Sequence, residues 1–313
     1  MSLKKIILLV LGLGLLVGAY FAYTIYAAFF TPNTSFNSDE EVVYISSNAS
    51  FDDVLTSINP LLKDVNSFES AAQKKGYASY VKAGKYILKK GMNNNDIINT
   101  LRSKNVPVKL AFNNQETLED LAGRIASQIE ADSISLLNAF NDPEFLKQNN
   151  FNTETKLAMY IPNSYEFFWN TSAIKFRDRM LKEYNRFWNE ERIAKAKALK
   201  MSPLEVSTLA SIVHKETAKV DERPRVAGVY LNRLRDGMLL QADPTVIYAL
   251  KLHTGDFNQI IKRVLYRDLE LDSPYNTYKY GGLPPGPITM PDITAIDAKE
   301  QYVRWINSQN INR

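Results

Sequence analysis

The chain has 313 residues, 45% of them hydrophobic and 23% charged, with a net charge of +4. That composition fits a folded protein of one large or two modest domains, and its mild, well-mixed basicity gives no argument for nucleic acid and would suit an anionic polymer or membrane surface. Cysteine is absent, which excludes disulfides, thiol nucleophiles, cysteine zinc sites and a lipid anchor on an N-terminal cysteine; with only His214 and His253, a catalytic triad or histidine-rich metal site would need one of these two.

Lys4 and Lys5 precede an uncharged run over residues 6–30. Roughly 20 apolar residues span a bilayer, and the run exceeds the roughly 7–15 residues of a signal-peptide core. Residues 1–30 are therefore expected to form a cytoplasmic tip and an uncleaved single-pass anchor. The two lysines keep the N-terminus inside, and the rest lies outside the cytoplasmic membrane. The rival reading is a signal peptide cut near YAA (26–28).

Residues 31–40 (TPNTSFNSDE) read as a linker. Short strands are expected at 42–46 (VVYIS), 85–88 and 106–112 (VPVKLAF). Helices are expected from Ser50 to Ile58, from Met92 to Leu101 and from Thr117 to Ile125, each with a capping residue at its start. Further helices cover 133–140 and 143–148. Residues 161–169 (IPNSYEFFW) read as an aromatic loop, as a core plug or as a platform for sugar rings. Residues 173–200 form a charged helix or helix pair.

Ser202, Pro203 and Glu205 make a strong helix start. From there Leu209, Ile212 and Val213 form an apolar stripe that Glu216 continues, about 20° from Leu209 at 100° per residue. On that reading Glu216 is desolvated and able to hold a proton near neutral pH as a general acid, while His214 and Lys215 face solvent. The alternatives are that Glu216 ends the helix and turns outward, or pairs with Arg223 or Arg233. The His-x-Glu spacing of His214 and Glu216 does not match a zinc site. Asp221-Glu-Arg-Pro224 opens a second helix that runs through Leu234 and ends at Gly237, with Val226, Val229, Tyr230 and Leu234 on one face, and Asp243-Pro244 starts a third. A stiff loop follows over 273–288.

The segments LASIVHKET (209–217), ERPRVAGVYLNRLRDGMLLQADPTVIYAL (222–250), SPYNTY (273–278) and GLPPGPI (282–288) resemble, in that order, the MltG/YceG-type endolytic murein transglycosylases. AGKYILKKGMNNNDIINTLRSK (83–104) and YIPNSYEFFWNTSA (160–173) resemble other parts of that family. The resemblance implies an α+β fold, with a transmembrane helix, a small LysM-like βααβ subdomain over 41–110 and a helix-rich catalytic domain over 111–313. It implies peptidoglycan glycan strands as substrate, no metal or organic cofactor, peptidoglycan synthases as candidate partners, and Glu216 as the catalytic acid and base. Many relatives carry an acid where His214 stands here. Asn232, Gln241, Asp243, Tyr275, Asn276 and Tyr278 are expected to position substrate, with Gln241 and Asp243 reading equally as turn and cap residues.

The family continues beyond the GLPPGPI loop with a further strand segment and a terminal helix. Here 292–313 follow without a histidine, and YVRWINSQNINR (302–313) reads as that terminal helix joined directly to the loop. The catalytic domain is thus expected to be shortened, with one wall of the site missing. Two functions stay open: a lytic transglycosylase forming 1,6-anhydroMurNAc ends, and a catalytically impaired membrane-anchored peptidoglycan-binding protein.

Overall fold

The computed structural model describes residues 3–298, apart from the side chain of Ile6. The expected terminal helix over 302–313 lies outside the described residues. Helix α1 (Leu3–Phe30) is long and apolar enough to cross a membrane. The rest is a helix-rich α+β arrangement in two units, residues 1–108 with 166–170, and residues 109–165 with 171–313.

In the first unit, β1 (Glu40–Ile45) and β2 (Gly84–Lys89) pair antiparallel, from Glu40 opposite Lys89 to Ile45 opposite Gly84. Between them come α2 (Phe51–Ile58) and α3 (Val65–Lys74), and after them α4 (Asn94–Ser103). Strand alternation sends Val43, Ile45, Tyr86 and Leu88 inward. There they meet Ile58, Phe68, Ile97, Ile98 and Leu101 from the three helices. Ser50 closes a capping box with Asp53, and Asp64 and Asn93 cap α3 and α4.

The polar stretch 31–40 is not a free linker over its first half. Asn33 is buried; its backbone N–H donates to Met92 O at 2.9 Å, and its side-chain amide donates to Asn94 Oδ1 at 2.7 Å and Asp64 O at 2.8 Å. Loop-like composition gives no hint of this, because the partners lie 31 and 61 residues away.

Strands β3 (Pro107–Phe112) and β4 (Asn163–Phe168) form a second two-stranded sheet. The expected loop at 161–169 is therefore largely a strand. Its Asn and Ser read as turn residues, and only the long-range pairing with β3 makes it extended. Tyr165 donates to Ile161 O at 2.6 Å, and its ring stacks on Phe112, with centroids 5.7 Å apart.

The second unit holds α5 (Leu118–Ala126), α6 (Ser133–Phe140), α7 (Pro143–Gln148), α8 (Ala173–Phe187) and α9 (Glu190–Ala198). Three more helices follow, α10 (Pro203–Glu216), α11 (Arg223–Arg235) and α12 (Asp243–Thr254). The expected charged helix is thus a pair, broken at Trp188 and restarted by the Asn189 cap.

Helix α10 begins with the Ser202/Glu205 capping box and Pro203 in its first turn. Every residue from Val206 to Val213 is buried, so it is enclosed on all sides rather than on one stripe. Its polar members suit this position. Thr208 donates to Leu204 O at 2.9 Å, and Ser211 donates to Thr208 O at 2.7 Å and accepts from the Ile288 N–H at 3.0 Å. That last bond ties the 282–288 loop to the helix. Leu209, Ile212, Tyr230, Ala249 and Tyr275 belong to one core cluster uniting α10, α11, α12 and the loop that follows α12.

Gly286 is needed for a close approach, since a Cβ there would sit 2.0 Å from the carbonyl oxygen of Glu154. Backbone cannot yield as a flexible side chain would, so Gly286→Ala is expected to cost about 3 kcal/mol of stability. Urea unfolding checks this: an unchanged midpoint would mean that the loop can shift without penalty.

Candidate active site

Glu216 is the last residue of α10, and it is exposed. The expectation of a desolvated acid on the apolar face does not hold. Burial along α10 is set by depth along its axis: the helix is enclosed through Val213, and its last turn emerges. His214, expected in solvent, has a side chain only 16% exposed, less than that of Lys215 at 36%.

Neither arginine considered for Glu216 pairs with it. Arg233 donates to Leu240 O. Arg223 is 3% exposed and gives one nitrogen, Nη1, to both oxygens of Asp292 at 2.7 and 2.8 Å, and also bonds Thr294. His214 Nδ1 lies 3.3 Å from both Arg223 Nη2 and Asp292 Oδ2. When protonated, Nδ1 donates to the carboxylate; when not, it accepts from the guanidinium. Asp292 also accepts from the Ala295 N–H at 2.9 Å, capping the helical segment 293–298. Burial would raise the Asp292 pKa, but the bonds from His214, Arg223, Thr294 and Ala295 outweigh it and hold the carboxyl well below the ordinary range. This network fixes the last turn of α10 from behind.

In front, the partner of Glu216 is Tyr230 on α11, whose hydroxyl donates to Oε2 at 3.1 Å. Tyr230 reads in the sequence only as an apolar-face residue. Its ring does lie in the core, but its polar tip reaches the helix end. Burial first, and then the Glu216 charge, push its phenol above the ordinary range. Val229, placed on the same face by spacing, is 51% exposed instead.

Tyr278 and Asp243 make the second pair, with the hydroxyl donating to Oδ1 at 2.6 Å. Burial, this bond, the Asp243 charge and then Glu216 raise Tyr278 to about 12. Glu216, Tyr230, Tyr278 and Asp243 thus lie within electrostatic reach of one another, with Arg233 opposing the negative charge at both phenols. Asp243 is not the cap of α12. Ala242 holds that position without a side-chain bond, which leaves the Asp243 carboxylate for Tyr278.

The other expected residues divide. Gln241 is exposed and takes a left-handed backbone, φ 50°, so it is the turn residue; its N–H donates to Thr277 O at 3.1 Å. Asn276 is fully buried, and its amide is used within the loop, donating to Leu269 O and Leu271 O at 2.8 Å each and accepting from the Tyr278 N–H at 3.0 Å. Tyr275 is buried against Tyr248, with ring centroids 4.8 Å apart. These two residues are buried and hold the loop that carries Tyr278. Asn232 lines a separate groove with Leu231, Glu205 and Leu283. It stands two residues from Tyr230, about 200° around α11, and so away from Glu216.

The YceG-like family profile matches residues 43–304. The chain belongs to the YceG-like family. It is 31% identical to an endolytic murein transglycosylase of Bacillus subtilis (strain 168) over 274 residues, 80% of this chain and 74% of that one. A second endolytic murein transglycosylase, of Streptococcus pneumoniae serotype 2, is 27% identical over 94% of this chain, which spans 57% of that relative's length. The crystal structure of a YceG-like protein from Listeria monocytogenes superposes with a TM-score of 0.55 at 30% identity, covering 84% of this chain and 90% of that one. All the side chains gathered around Glu216 fall inside the residues matched to the YceG-like family.

Proposed function

We propose that this chain is an endolytic lytic transglycosylase of peptidoglycan, held at the cytoplasmic membrane by α1, with Glu216 as its acid and base. The observation that carries this reading is the placement of Glu216: an exposed carboxylate at the end of an enclosed helix, bonded by Tyr230 and flanked by the Tyr278–Asp243 pair. Membership of the YceG-like family and relatives named for murein transglycosylation support it.

Glu216 is exposed in the chain alone, and a glycan strand laid across the helix end covers it and excludes water. The protonated acid then donates to the oxygen linking MurNAc to GlcNAc. The carboxylate left behind takes the proton of the MurNAc C6 hydroxyl, which attacks C1 and closes a 1,6-anhydro ring. Tyr230 steadies the carboxylate between the two steps through its hydroxyl. No water enters, so the carboxylate separations of ordinary glycosidases do not govern the site. The β1-α2-α3-β2 portion is the LysM-like part and holds glycan, and Lys4 and Lys5 keep the N-terminus in the cytoplasm.

Product chemistry tests the reading. Purified peptidoglycan digested by the full-length chain in detergent should release internal fragments ending in 1,6-anhydroMurNAc, as read by mass spectrometry. Reducing ends would mean hydrolysis. Retained glycan binding without products would mean a binding protein. Tyr278→Phe, which removes the donor to Asp243, is expected to lower kcat/KM roughly tenfold, the worth of a hydrogen bond to a charged group. A rate equal to wild type would remove this pair from the site.

A further inference from the structure

A cavity of about 350 Å³ adjoins the Glu216 cluster. Its wall includes Lys215 and Pro244, the chain neighbours of Glu216 and Asp243. At its edge two ammonium groups share one carboxylate: Lys215 bonds Glu116 Oε1, and Lys251 Nζ lies 2.6 Å from Glu116 Oε2. Both lysines and Glu116 line the cavity. The trio therefore carries one excess positive charge. The Lys251 side chain is only 12% exposed, so its charge is poorly screened by solvent. The rest of the wall includes the Asn258 and Gln259 amides and Tyr248 beside apolar Phe257, Ile261 and Ile288.

One excess cation beside amide and apolar surface suits a carboxylate on a short peptide. A phosphate would bring more charge and more acceptors than this wall answers. We propose that the cavity is a binding site for the carboxylate-bearing stem peptide that murein sugars carry, so that the chain reads peptide substitution next to the bond at Glu216. The inference rests on the murein reading above. It also accounts for a lysine immediately before the acid, since α10 delivers both to adjoining surfaces.

Binding tests it apart from turnover. The full-length chain in detergent, carrying Glu216→Gln to stop cleavage, is titrated with soluble glycan oligomers that keep their stem peptides. The same oligomers stripped by an amidase serve as comparison. The expected result is a preference of roughly tenfold for peptide-bearing oligomers, the worth of one charge-assisted hydrogen bond. Lys251→Gln, which cancels the excess charge, should bring the two affinities together. Glu116→Gln leaves two cations and should widen the preference.

A structural salt bridge predicts otherwise, because both substitutions would then weaken binding alike. That result, equal affinity in the parent chain, or no binding to either oligomer would overturn the proposal. If Lys251→Gln fails to fold, Lys215→Gln at the more exposed end makes the same test. Cleavage without peptide preference would refute the cavity's role alone. Peptide-dependent binding by a chain that never cleaves would refute the transglycosylase reading and support the cavity.

Discussion

Glu216→Gln is expected to lower the release of anhydro-ended fragments by about a thousandfold or more while leaving the protein folded. General acid–base groups contribute roughly 10²–10⁴-fold each, and in the proposed mechanism one group serves both proton transfers. The amide keeps the shape of the carboxylate and still accepts from the Tyr230 hydroxyl, now 3.1 Å away. It can neither give the first proton nor take the second. Because Glu216 is exposed, the change in stability should stay within about 0.5 kcal/mol. The check is the initial rate of anhydro product formation beside a thermal melt of both proteins. Activity above a tenth of wild type would assign the chemistry to another group, and Asp243, paired with Tyr278, would be examined next.

Asp292→Asn should act in the opposite way, as a loss of stability felt at the site. Arg223 is almost wholly buried, its Nη1 holds both Asp292 oxygens, and its buried Nε has no partner among the described residues. Removing the charge leaves a guanidinium stranded in the interior, which costs about 3–5 kcal/mol. Urea unfolding is expected to show a lower midpoint with an unchanged slope. An unchanged midpoint would mean that the pair is worth no more than a surface bridge.

The same carboxylate sets an acid dependence. Its folded pKa is depressed, so its contribution is complete above the unfolded value of about 4. As pH falls below that, the unfolded chain takes up the proton first and stability declines toward the folded pKa. Wild type should therefore weaken steadily below about pH 4, and Asp292→Asn should show a flatter profile over that range. Equal slopes would show that Asp292 does not carry the acid response.

Local chemistry made much of this molecule legible in the sequence. The start of α10 was fixed by Ser202, Pro203 and Glu205, whose capping box and ring geometry need only three neighbouring residues. The bounds of α6 and α7 were readable for the same reason, with Asp132 and Asp142 accepting from backbone N–H groups of the first turn. The apolar run that became α1 needed only its length. The family was legible too, through the ordered motifs around Glu216.

Its environment was not. A helical stripe assumes a helix with one dry face, and α10 is dry on every side until Val213. Which turn first meets solvent depends on how far α11 and the 282–288 loop reach along it, and no local pattern encodes that. The same limit hid Tyr230, whose apolar ring satisfied the pattern while its hydroxyl reached Glu216. It hid the pairing of Arg223 with Asp292, 69 residues on, and the sharing of Glu116 by Lys215 and Lys251 across 99 and 135 residues. It also misdirected Asn276, a polar loop residue whose amide is spent on the loop's own carbonyls. By itself the sequence determined caps, helix starts and the membrane-length helix, because each depends on groups a few residues apart. Tertiary structure alone decided which polar groups are exposed around Glu216 and which hold the frame, because burial and charge pairing are properties of segments that meet only after folding.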